Sequence, residues 1–162
     1  MHTLTEAERR HTLQLMTEID RLPALGDGIE HAPVEEIETR LRQLNEFLTG
    51  VLLPHAEAQE KTLYPQMERI LQNRHSMTPM CREHEKIREL VGRVGAFRIH
   101  SHGIVNASEA LELKRLLFPL YALLKVHLAE EERYAAILEH NVAEDQATEL
   151  ATALQHAGFT EG

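Results

Sequence analysis

The sequence has no tryptophan, only 4% aromatic residues and a single cysteine, Cys81, so neither an internal disulfide nor a cysteine-cluster zinc site can be built within the chain. Long hydrophobic runs are also missing. The longest, Leu116 to Leu124, has nine residues, where crossing a bilayer takes roughly 20. The opening stretch MHTLTEAERRHTLQL carries acidic residues and no apolar segment of the signal-peptide kind. These features lead us to expect a soluble, cytoplasmic protein with no membrane partner. Positive charge is scarce as well: 17 Lys+Arg face 26 Asp+Glu, a formal net charge of -9, which repels phosphate backbones and argues against nucleic acid. Gly-rich phosphate loops and Gly-x-Ser-x-Gly nucleophile segments are absent, removing support for nucleotide chemistry and serine hydrolysis. At 162 residues the chain is the size of one compact domain, expected to span 1–162.

The composition favours Leu, Ala, Glu and Arg, as regular helix packing requires, and no stretch alternates like a strand. Thr5 followed by Glu8 has the capping-box spacing and predicts a first helix over about 5–22. The run PALGDGIEHAP, 23–33, predicts a loop. A long second helix is expected over 34–73, bent near Gly50, Pro54 and Pro65, because proline brings no amide donor. Pro79 opens a third helix, 79–98. Ser108 is the expected cap of a fourth, 109–140, bent at Pro119, and a short fifth should cover 142–156. The fold class expected is all-α: an up-down-up-down four-helix bundle with an additional C-terminal helix, an architecture that places metal sites between facing helices.

The chain contains 11 histidines, and four of them fall on apolar stripes. At about 100° per residue, Leu113, Leu116, Leu120, Leu123, Leu124, Tyr134 and Leu138 lie within about 60° of His127 on the helical wheel. Glu131, one turn on, lies about 40° from His127, so imidazole and carboxylate leave the same face. His55 shares a stripe with Leu41, Leu44, Leu48 and Leu52; its one-turn partner is Gln59, while Glu60 lies about 140° away. His84 lies on a stripe with Met77, Met80, Cys81, Val91 and Gly95, and His11 on one with Leu4, Leu15 and Leu22. A lone core histidine is most simply satisfied by a backbone carbonyl. Four of them, one per helix and joined by an inward glutamate, are costly to bury without a compensating partner, and for the set a metal is the partner favoured. Imidazole and carboxylate donors suit iron, manganese or zinc.

The remaining histidines show how weak spacing is alone. His140 and Glu144 are also one turn apart, yet His140 lies on the face opposite His127. His31 has Glu35 at the same spacing, but a continuous helix would separate it from His55 by about 36 Å. His2, His75, His100, His102 and His156 are read as surface residues. Among the tyrosines only Tyr134 and, less closely, Tyr121 fall near the stripe, and core packing is the reading for them; Cys81 is read as a small buried hydrophobe.

The segments LLPHAEAQEKTLYP and LLKVHLAEEERYAAILE resemble the two His-x-x-x-Glu segments of hemerythrin-like (HHE cation-binding) domains, and RRHTLQL and MCREHEKIREL resemble that family's first and third helices. The resemblance covers about Glu8 to Glu139. It implies a four-helix bundle holding a non-haem di-iron centre, with His11, His55, His84 and His127 as terminal ligands and carboxylates at position 59 and Glu131 as bridges. Gln59 departs from that pattern, since a neutral amide offers a carbonyl oxygen but no charge. Glu60, a solvent-derived bridge or, less readily, Glu57 are the candidates to compensate, and a single iron, manganese or zinc is the alternative occupant. Arg88 stands where oxygen-carrying members have a further histidine, which argues against reversible oxygen carriage; it is expected either to pair with Glu131 or another acid, or to send its guanidinium outward. The function implied is binding or reduction of a small oxidant: dioxygen, nitric oxide or peroxide. Iron sensing, storage or donation, and a helical interaction module with a degenerate site, are the alternatives.

Overall fold

A computed structural model of the chain describes residues 4–142 together with Gln146, Glu149, Leu150, Thr152 and Ala153. Among the described residues six named α-helices build the bundle: α1 (Leu4–Ile19), α2 (Arg21–Asp27), α3 (Val34–Phe47), α4 (Leu53–Ile70), α5 (Thr78–Ala96) and α6 (Ala107–Asn141), with a π-helical turn, Leu48–Leu52, joining α3 to α4. Among the described residues the only β-pairing is an isolated bridge between Pro33 and Ile104, and no helix is long and apolar enough to cross a membrane. Of the fifth helix expected over 142–156, the described residues 146, 149, 150, 152 and 153 are helical; its other positions beyond Val142, His156 among them, lie outside the described residues, as does His2.

Several boundaries depart from expectation for identifiable reasons. The run from Pro23 does not begin a loop: Pro23 sits in the first turn of α2, where its missing amide has no helical partner to lose. The helix reaches Asp27, burying Leu22, Leu25 and Gly26. The bend expected in the second helix is the π-helical turn, placed just ahead of Pro54. Pro54 offers no amide to the carbonyl of Gly50, and the wider turn relieves the clash of its ring with that carbonyl. Pro65 and Pro119 lie inside α4 and α6 without ending either. Asn106, not Ser108, caps α6: its side chain accepts the Glu109 amide at 2.9 Å. Thr5 is not an N-cap either, because α1 already includes Leu4.

The bundle has two apolar layers. One is built around Leu15, Ile19, Leu52, Ile87, Val91, Leu120 and Leu124, the other around Ala7, Leu63, Met67, Met80, Ala135 and Leu138. Along α1 the chain runs from the second layer to the first, along α3–α4 from the first to the second, along α5 back, and along α6 back again. That alternation is the up-down-up-down order. Each passage crosses the same level, and there α1, α4, α5 and α6 carry buried polar residues: Glu8 and His11, His55 and Gln59, His84, His127 and Glu131. A polar stratum is thus sealed between two hydrocarbon layers.

Candidate metal centre

Carboxylates and imidazoles in a dry stratum must satisfy one another or hold a cation. Glu131, 0% exposed, stands at the centre. Its Oε2 is 3.1 Å from His55 Nε2, and its Oε1 is 2.9 Å from His127 Nε2 and 3.7 Å from His84 Nε2. Donor atoms converge in two groups, His84 with His127 and Glu131, and Glu8 with His55 and Glu131. Glu131 belongs to both. The two groups therefore form a pair of adjacent three-donor sites joined by one carboxylate.

The His84–His127 side is held from behind. His84 Nδ1 is 2.7 Å from Glu60 Oε1, and His127 Nδ1 is 2.6 Å from Glu83 Oε2. Carboxylates at Nδ1 place the ring proton there and leave Nε2 as the inward lone pair, the arrangement that orients metal-binding histidines. The two Nε2 atoms then face each other at 2.7 Å, which is repulsive unless a proton or cation lies between. Burial works against charge on His127, but hydrogen bonding and attraction from Glu131, then Glu83, outweigh it and raise its pKa to about 8. That favours a proton on His127 when no metal is bound. Burial likewise opposes charge on His55 and Glu131, and their mutual attraction reverses this: His55 is raised and Glu131 is held well below the usual carboxylate range.

On the other side, Gln59 Nε2 donates to Glu8 Oε1 at 2.7 Å and lies 3.3 Å from His55 Nε2. Burial pushes Glu8 up to about 7, with neighbouring Glu131 adding to it against the attraction of His55. His11 stacks on His55 with ring centroids 4.3 Å apart, and burial lowers its pKa to about 4. It is neutral at pH 7 and belongs to neither converging group. Among the described residues, two buried atoms here make no hydrogen bond, His55 Nδ1 and Gln59 Oε1. Unsatisfied nitrogen and oxygen donors at one level, with no thiolate among them, fit a borderline or hard cation such as iron, manganese or zinc.

The expected site residues thus separate. His55, His84, His127 and Glu131 converge; Gln59 lies beside them; His11 stacks on their flank; and Glu60 stands behind His84, where Arg88 donates to it at 2.7 Å. Of the partners open to Arg88, the acid it meets is Glu60, not Glu131. Those two interactions hold the Glu60 carboxyl below its ordinary range despite partial burial. Glu57 is exposed and pairs with Lys61. His31, His75, His100, His102 and His140 are exposed, and Cys81 is a half-buried free thiol packed against the second apolar layer.

Three residues escaped the sequence reading. Glu8 looked like half of a capping box, although its three-residue spacing to His11 put both on one face. Glu83 gave no sign, because it reaches across to α6 and not along its own helix. Tyr64, rather than Tyr121 or Tyr134, is the tyrosine at the site: its hydroxyl is 3.2 Å from His84 Nε2 and its ring stacks on that imidazole. Burial raises the phenol's pKa, so the hydroxyl keeps its proton.

Searches among curated proteins and solved structures returned no match. The model of the hemerythrin HHE cation-binding domain matches residues 3–136, a span containing both donor groups, and the chain belongs to that family.

Proposed function

We propose that the chain is a non-haem iron protein whose paired site binds or reduces a small oxidant, such as dioxygen, nitric oxide or peroxide, in the cytoplasm. The observation that carries this reading is the pair of three-donor groups sharing Glu131. An ion held by three protein donors would keep positions for an exogenous ligand. His84, His127 and Glu131 would hold one ion and Glu8, His55 and Glu131 the other, with His11 the further imidazole available beside His55. When bound, a ferrous pair supplies open coordination positions and one electron from each ion.

The protein's own contribution is placement and exclusion. Glu60 and Glu83 fix the tautomers of His84 and His127. The Tyr64 hydroxyl, 3.2 Å from the inner nitrogen of His84, offers a hydrogen-bond donor beside that donor group. The apolar layers above and below keep bulk water from the stratum. Stopped-flow absorption of the anaerobic ferrous protein mixed with dioxygen, nitric oxide or hydrogen peroxide tests the reading. A spectral change with at least one is expected; silence with all three refutes it.

A further inference from the structure

We infer that Glu8 and Gln59 have exchanged roles: Glu8, from α1, supplies the second carboxylate of the paired site, and Gln59, from α4, is a positioning residue that holds it. This rests on the metal-binding reading above and deepens it.

Position 59 lies one turn after His55 on α4, the place from which a helix naturally presents a carboxylate beside its own histidine. Here that place is an amide, 0% exposed. Glu8 reaches the same spot from the opposite helix, 1% exposed, and a carboxylate oxygen converges with His55 and Glu131. The Gln59 amide nitrogen donates to a Glu8 carboxylate oxygen at 2.7 Å, the direction that an ionised, metal-bound Glu8 would require, since such a carboxylate can only accept. That contact fixes the amide's orientation and leaves Gln59 Oε1 as a buried oxygen without a hydrogen bond.

The two positions are complementary. A glutamate at 59 would place a second buried carboxylate where the amide now meets Glu8, and two carboxylates sharing a dry site cannot both ionise unaided. A glutamine at 8 facing Gln59 would leave the site with Glu131 alone. One carboxylate and one amide across α1 and α4 therefore keep the centre at two acids, Glu8 and Glu131, and the amide at 59 does not make it poor in charge. Glu60 cannot fill the gap while it is engaged with His84 Nδ1 and Arg88, nor can Glu57, which faces solvent beside Lys61.

The test loads the full chain anaerobically with ferrous iron, desalts it, and measures iron per chain by mass spectrometry alongside thermal melts and circular dichroism. Wild type should hold two ions, Glu8→Gln one, and the exchanged double variant Glu8→Gln/Gln59→Glu two again. Glu8→Gln holding two ions as firmly as wild type would overturn the inference. So would a folded double variant that stays at one. Should Glu8→Gln alone fail to fold, the double variant carries the test, since folding with two ions requires interchange of the two positions. Wild type retaining no iron while folded would instead overturn the metal-binding reading itself.

Discussion

Replacing Glu131 by glutamine removes the carboxylate common to both donor groups while keeping its shape, and in metal-free protein the loss should depend on pH. Although burial disfavours its charge, His127 is raised from 6.5 to about 8, with Glu131 the stronger of the two carboxylate influences. At about 1.4 kcal/mol per pK unit, the shift amounts to about 2 kcal/mol of folded-state stability. Because the folded pKa lies above the unfolded one, that stabilisation is fully present below pH 6.5 and is lost as pH rises through 8. His55 is raised by the same carboxylate and adds in the same direction. For a domain of this size each kcal/mol moves the melting temperature by about 2–4 °C. With Glu131 responsible for at least half of the His127 shift, metal-free Glu131→Gln should melt roughly 2–8 °C lower than wild type at pH 6 on this account alone. The gap should narrow by pH 9. Melts followed by circular dichroism in the presence of chelator measure it. A gap at pH 6 no larger than at pH 9 would refute the ionic account of the stratum.

Two further outcomes follow from the same geometry. Glu8, raised to about 7, and His127, raised to about 8, hold protons near neutrality that an entering cation must displace. Ferrous binding should therefore release protons and tighten from pH 6 to 8, by up to about tenfold per unit for each proton displaced; calorimetry in buffers of different ionisation enthalpy reads both, and a flat profile contradicts it. Glu83→Gln leaves the inner donors in place but removes the carboxylate behind His127 Nδ1. Chelator competition should show about 10–100-fold weaker binding with an unchanged fold, and unchanged affinity would remove Glu83 from the account.

How much could be read from the residues alone depends on what a helical wheel records. A wheel finds the apolar stripe of a helix, and so it found the four helices and the inward direction of His55, His84, His127 and Glu131. Helix ends were harder, because Pro23 stops a helix in mid-course but is harmless in a first turn, and Ser108 and Asn106 are equally good caps until the backbone chooses one. A wheel also says nothing about which neighbour meets each flank of a helix. Glu60 and Tyr64 lie about 40° apart on a flank of α4 turned from the His55 stripe. That flank meets His84 on α5, and only the packing reveals it. Glu83 is hidden for the same reason, its partner being on α6. Glu8 was legible in principle, since its spacing to His11 matched a ligand pair as well as it matched a cap with Thr5.

The central claim, that two cations share Glu131, is tested most directly by iron content. Anaerobic reconstitution of wild type, His127→Ala and Glu131→Ala, followed by metal analysis per chain, should give close to two ions in wild type, one in His127→Ala and none held tightly in Glu131→Ala. A folded, reconstituted wild-type protein without iron, or a Glu131→Ala variant that still holds two ions, would contradict it.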